Sequence, residues 1–187
     1  MGKVRPLKVD ATYDDLCGVP ENFVAEMFDG ELYATPRPAI PHAHAASVLG
    51  FELGGPFHRG RHGPGGWWIL DEPELHFGKD VLVPDLAGWR REKLAALPTL
   101  PYFTQAPDWI CEVLSPSTES LDRVKKLRIY ARVGVEHAWL VNPVLQTLEV
   151  FTLTAGRWTL VATHEGSDFV RAEPFDAIEL ELGALWA

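Results

Sequence analysis

Long apolar runs are missing from this 187-residue chain: no stretch approaches the roughly 18 consecutive apolar residues that a membrane-spanning helix needs, and the first residues hold no apolar run of signal-peptide length. Neither export nor membrane insertion is expected. Cysteine is equally scarce. Two residues, Cys17 and Cys111, cannot build a disulfide framework, so a reducing cytoplasm is the expected compartment. Positive charge is the third shortage. The chain carries 17 Lys and Arg against 26 Asp and Glu, a formal net charge of −9. Affinity for DNA comes largely from neutralising phosphates, so this balance works against nucleic-acid binding by bulk charge. Any such surface has to be local. Part of the acidity belongs to the tail, where Glu165, Asp168, Glu173, Asp176, Glu179 and Glu181 accumulate.

What is present is ordinary for a globule: 47% hydrophobic and 23% charged residues, in a length that suits one domain with a sizeable core. No repeat or second domain is visible. Residues 1–20 read as an irregular N-terminal arm and 21–187 as the domain. A strand over 23–28 meets the strong turn signal Asp29-Gly30, and a second strand opens at Glu31. A Pro-rich linker over 36–41 leads into a helix over 42–53. His42 and His44, two apart, share no helical face and make a poor metal pair. Gly-rich composition makes 54–66 a loop. Its Arg59 and Arg61 could reach a phosphate backbone or belong to a plain solvated surface. Strands at 67–70, 74–77 and 81–85 suggest a meander of neighbours. Arg90 and Arg91 follow as a second basic cluster. Further strands are expected at 138–141, 148–153 and 158–163.

The chemistry concentrates between Asp108 and Tyr130. Residues 108–114 form a short apolar run closed by Ser115-Pro116, the pattern of a buried strand ending at a loop. Glu112 breaks that pattern. It shares a strand face with Ile110 and Leu114, where an ionised carboxylate costs several kcal/mol unless a cation or donors meet it. A helix follows, with Ser117 or Thr118 as its cap and Gly134 as its stop. Asp122, Lys126 and Tyr130 are spaced four apart and stack along one face. That spacing alone suits an ordinary helix salt bridge of a few tenths of a kcal/mol. Upstream, Pro84 interrupts an apolar run and leaves Asp85 beside a strand irregularity, where a turn residue is the commoner use of an Asp. Taken together, two carboxylates can hold Mg²⁺ through oxygen, and a nearby ammonium can orient or deprotonate a water for attack on phosphorus.

The motifs Val83-Pro84-Asp85, Pro107-Asp108-Trp109, Glu112 through Thr118, Asp122, Lys126, Tyr130, Gly134-Val135 and Trp139 through Pro143, with Asp29-Gly30-Glu31 and the Pro-rich stretch up to His42, resemble the Uma-two family of restriction endonucleases. That family is a branch of the PD-(D/E)XK nuclease superfamily. The resemblance implies an α/β fold with a mixed sheet flanked by helices. It implies Asp85 and Glu112 as metal carboxylates for Mg²⁺, with Mn²⁺ as a substitute, and Glu31 as an additional acid. Leu114 stands where the superfamily has its lysine, and Lys126 on the next helix takes over that role. Asn142 replaces a common Asp. Asp122 and Tyr130 would support the site. By charge and position rather than by the resemblance, His42, Arg59, Arg61, Arg90 and Arg91 are the candidates for contacting substrate phosphate.

The expected function is thus a metal-dependent endonuclease acting on DNA, with a homodimer through Trp158 and Trp186 as the simplest way to cut both strands. The alternative is a non-catalytic binding or assembly protein on the same fold.

Overall fold

The computed structural model describes residues 4–186. The N-terminal segment carries a short helix α1 (Tyr13–Cys17) held by a capping box between Thr12 and Asp15. Backbone bonds from Leu7, to Lys8 and from Ala11 tie this segment to Leu32 and Gly30. A hairpin follows, β1 (Phe23–Phe28) and β2 (Glu31–Pro36). Asp29 and Gly30 both have positive φ, the combination a tight hairpin turn demands and the reason for Asp-Gly there.

Helix α2 (Ile40–Leu53) opens with Pro41 in its first turn and runs on through a π-helical turn, Gly54–His58. Then come β3 (Trp67–Asp71), β4 (Leu75–Phe77), β5 (Asp80–Leu82), β6 (Leu86–Arg90) and β7 (Trp109–Val113). The expected meander over 67–86 is not what forms. β3 pairs with β6, whereas β4 and β5 join the hairpin in a second sheet ordered β2-β1-β5-β4. Pro73 and Pro84 lie at the two points where the chain changes sheets. Neither can donate to a ladder, so both sheets end there.

The segment after β7 begins as α3 (Glu119–Leu121), widens to a π-helical turn over Asp122–Lys126 and ends as α4 (Leu127–Val133). Gly134, at φ 85°, stops it in the left-handed conformation expected of a C-terminal glycine. Thr118 is the N-cap residue, as expected, but makes no side-chain capping bond; its own N–H donates to Ser115 Oγ at 3.3 Å. Strands β8 (His137–Asn142), β9 (Thr147–Thr154) and β10 (Arg157–Glu165) complete a six-stranded sheet ordered β10-β9-β8-β7-β6-β3. Only β7 and β8 run parallel in it, joined by the α3–α4 crossover as the strand-helix-strand reading anticipated. A short pair, β11 (Phe169–Val170) and β12 (Leu180–Glu181), and a 3₁₀ turn at Leu182–Leu185 close the chain.

This sheet is covered on both faces, which explains why all of β7 is buried. Trp109, Cys111 and Val113 face α2 and the C-terminal segment, and Ile110 and Leu114 face α4. Gly88 on β6 lets the packing close: a Cβ there would meet Ile69, Trp67 and Trp109 at 3.1–3.2 Å. Trp158 and Trp186 are both half-buried. Trp158 donates to the Leu127 carbonyl and Trp186 to that of Gly166, and each packs against the core beneath it. Of the described helices, none is long and apolar enough to cross a membrane.

Candidate active site

Glu112 lies on the α4 face of β7, as the alternation required, and is 2% exposed. Both of its oxygens are held. Oε2 takes the Lys126 Nζ at 2.8 Å and Oε1 takes the Tyr130 hydroxyl at 2.6 Å. The stacking of Asp122, Lys126 and Tyr130 therefore serves the neighbouring strand more than the helix itself. Asp122 Oδ1 stands 3.8 Å from Lys126 Nζ, beyond hydrogen-bond distance.

Asp85 occupies the gap between β5 and β6. The β6–β7 register ends with Leu86 opposite Cys111, and Asp85, in the bend just before β6, lies beside the end of β7. Its Oδ2 accepts the Val113 N–H at 2.7 Å and lies 3.3 Å from His42 Nε2. Asp85, Glu112, His42, Asp122 and Lys126 all line one cleft of about 320 Å³ between the β1–β2 hairpin and the β7–α3 loop.

A residue not anticipated completes the cluster. Glu26, at the centre of β1 and 7% exposed, accepts the Val83 N–H at 2.9 Å and approaches Lys126 Nζ at 3.0 Å. Val83 also gives its carbonyl to Lys126 at 3.2 Å, so both polar groups of that irregular peptide are spent here. Glu31 does not share this cleft. It is bound to Lys125 at 2.6 Å and to the Tyr33 hydroxyl at 2.7 Å, because the basic edge of α4 reaches over the hairpin turn; Arg128 and Arg132 pair with Asp29 in the same way. The signal for Glu26 was available. A Glu inside the apolar run Phe23–Phe28 is the same anomaly as Glu112.

Four carboxylates thus face one lysine. Burial pushes the Glu112 carboxyl well above its usual range, with Asp122, Asp85 and Glu26 adding to the effect against Lys126. Burial alone would lower the lysine, but the surrounding carboxylates outweigh it and hold Lys126 protonated. Burial likewise raises Tyr130, which stays an O–H donor to Glu112. For His42, burial is outweighed by Asp85, and the imidazole rises.

Asp122 is pushed up to about 7, chiefly by burial. A carboxyl raised in the fold binds its proton more tightly folded than unfolded, so the stability it confers is complete at acid pH and is lost as pH rises toward 7. Asp122→Asn should then melt higher than the wild type at pH 8 and close to it at pH 4 in metal-free buffer. A gap that stays constant across that range would reject the assignment.

The basic candidates stand elsewhere. Arg90 ends β6, on the order of 16 Å of strand from Asp85, and lies over the Trp67 ring. Arg91 stacks on Trp68 and donates to the carbonyls of Trp67 and His58. Arg59 and Arg61, in the exposed segment before β3, share this end of the sheet. None lines the carboxylate cleft. Asn142, the other departure, accepts the N–H groups of Val144 and Leu145 and shapes a turn.

The chain matches, over residues 10–183, the family model described as "Putative restriction endonuclease". The chain belongs to this Uma2 family. Among solved structures it is similar to a putative nuclease of DUF820 from Anabaena variabilis, with a TM-score of 0.74 at 20% identity over 94% of this chain and 97% of that one. That likeness establishes the mixed α/β fold. No curated protein matches the sequence. Leu114, two residues after Glu112, is 2% exposed in the core, and the ammonium beside Glu112 is that of Lys126.

A divalent cation suits the donor set. Among the described residues no three His, Cys, Asp or Glu side chains form a ready-made cage, but Mg²⁺ typically takes one or two carboxylates and keeps several waters. No hydrogen bond from the described residues reaches Asp85 Oδ1, and each Glu112 oxygen, with a single donor, retains a lone pair. The excess of carboxylate over lysine charge is what a divalent ion would offset.

Proposed function

We propose that this protein is a metal-dependent nuclease that hydrolyses phosphodiester bonds, DNA above all, with Mg²⁺ or Mn²⁺ held by Asp85, Glu112 and a backbone carbonyl beside Val113. The observation that carries the reading is that Asp85 and Glu112 line one cleft, in a carboxylate cluster that Lys126 alone cannot neutralise. When bound, the metal would lower the pKa of a coordinated water and offset charge on the attacked phosphate.

The protein's own residues prepare that site. Lys126 and Tyr130 fix both oxygens of Glu112, and the Val113 N–H with His42 fixes one oxygen of Asp85. Lys126 is not the base in this arrangement. An ammonium has three N–H donors, and Glu112, Glu26 and the Val83 carbonyl take them. It is a positioning residue acting through Glu112. Substrate phosphate can approach the start of α2, where Ala39 gives no side-chain cap and free N–H groups favour an anion. Pro38, Ala39 and His42 bring that end to the cleft.

A non-catalytic binding or assembly role has one observation in its favour: among the described residues, apart from Lys126 and His42, the only basic one lining the cleft is Arg37, which leans toward Glu72. Cleavage of plasmid and single-stranded DNA separates the readings. The nuclease reading expects product with Mg²⁺ or Mn²⁺, none in EDTA, and loss with Asp85→Asn. Binding without cleavage under all metals would favour the assembly role. If two copies act together on a duplex, light scattering should show a dimer on DNA.

A further inference from the structure

A larger cavity of about 470 Å³ adjoins the carboxylate cleft, and the two share Pro38, His42 and Asp85. It exists because α2 turns small side chains toward it. Ala43, Ala46, Ser47 and Gly50 cannot fill the space between the helix and the end of β3, where Ile69 and Leu86 form the opposite wall. At the rim stands Phe51, 81% exposed, with no core cluster or aromatic partner among the described residues. A phenyl ring so placed contributes little to folding.

Charge decides between occupants. Asp71, Glu72 and Asp85 line the cavity and, among the described residues, His42 is its only basic one, so a phosphate backbone running through it would be repelled. A flat, uncharged ring with N–H donors meets none of that repulsion. Apolar walls accept its faces, Phe51 offers a stacking surface, and the carboxylates accept hydrogen bonds from exocyclic amines. The volume lies within the usual range of small-molecule sites, roughly 300–1,000 Å³.

We propose that this cavity receives an unpaired nucleobase of the strand being cut, beside the phosphate at the metal ion that Asp85 would hold. The substrate is then single-stranded or locally unpaired nucleic acid, since a base inside a duplex cannot enter. The inference rests on the nuclease reading of the adjoining cleft and adds the substrate class to it.

The probe is an oligonucleotide carrying 2-aminopurine, single-stranded or fully paired, with Ca²⁺ replacing Mg²⁺ to hold off cleavage. Fluorescence and anisotropy are read for wild type, Phe51→Ala and Ser47→Trp, the last narrowing the cavity. Tighter binding of the single strand is expected, with a 2-aminopurine signal that both variants reduce and affinity falling about 10-fold in Phe51→Ala, while melting temperature is unchanged. Equal affinity for the duplex, or an unaltered Phe51→Ala, overturns the base site even where the wild type cleaves with Mg²⁺. A Phe51-dependent signal without cleavage under any metal keeps the base site and ends the nuclease reading. Absence of any nucleic-acid binding ends both. Conversion of a wild-type dimer to a monomer by Phe51→Ala, with the base signal intact, would assign the ring to a second copy and overturn the proposal.

Discussion

Glu112→Gln is expected to lower metal-dependent cleavage by at least about two orders of magnitude, the scale on which a preorganised electrostatic contact acts, while the protein remains folded. Glutamine keeps the shape and can still meet Tyr130, and Lys126 retains Glu26 and the Val83 carbonyl. What disappears is a negative charge that shares the cleft with Asp85. Mg²⁺ affinity should therefore fall along with turnover, and isothermal titration with Mg²⁺ reads this separately from activity. Folding should suffer little, because removing a charge that burial disfavours offsets the lost ion pair. A Glu112→Gln protein that binds Mg²⁺ and cleaves like the wild type would remove Glu112 from the site.

Much of this arrangement was legible because it rests on local physics. A Glu in an apolar strand had to find a partner, and the helix placed Lys126 and Tyr130 on the right face to supply it. Pro84 announced a break in the ladder, and Asp85 lies in that break. The strand-helix-strand crossover and the Gly134 stop followed from pattern and glycine chemistry. Other features depended on tertiary placement. Glu26 and Glu31 are both acids of one hairpin, and which of them meets Lys126 depends on how the basic edge of α4 lies across the turn, which periodicity does not encode. The division of β3–β6 between two sheets was hidden for the same reason: Pro73 and Pro84 end strands without saying where the chain goes next. The burial of Lys126 was legible only in part: it shares a helix face with Ile129, Tyr130 and Val133, but a four-residue spacing from Asp122 describes a solvated salt bridge equally well.

That burial reverses what Lys126→Met should do. For a surface helix pair the change would cost well under about 1 kcal/mol. Lys126 is instead 3% exposed and is the cation within reach of Glu112, Glu26 and Asp122. Removing one partner of a buried ion pair typically costs about 3–5 kcal/mol, because the remaining charge stays buried and uncompensated. Urea denaturation at pH 8 should show a loss of that order. The deficit should shrink at pH 5, where carboxyls already raised by burial take up protons in the folded state. Adding Glu112→Gln to Lys126→Met should recover part of the loss at pH 8, the non-additivity expected of residues in contact. Added Mg²⁺ should stabilise Lys126→Met, since an ion bound only by the folded state shifts the equilibrium toward it. Cleavage is then best compared at low temperature, where both proteins are folded, and turnover should be reduced because Glu112 is no longer held in place. A Lys126→Met protein within about 1 kcal/mol of wild type at pH 8 would show that the four carboxylates are neutralised by some means other than this lysine.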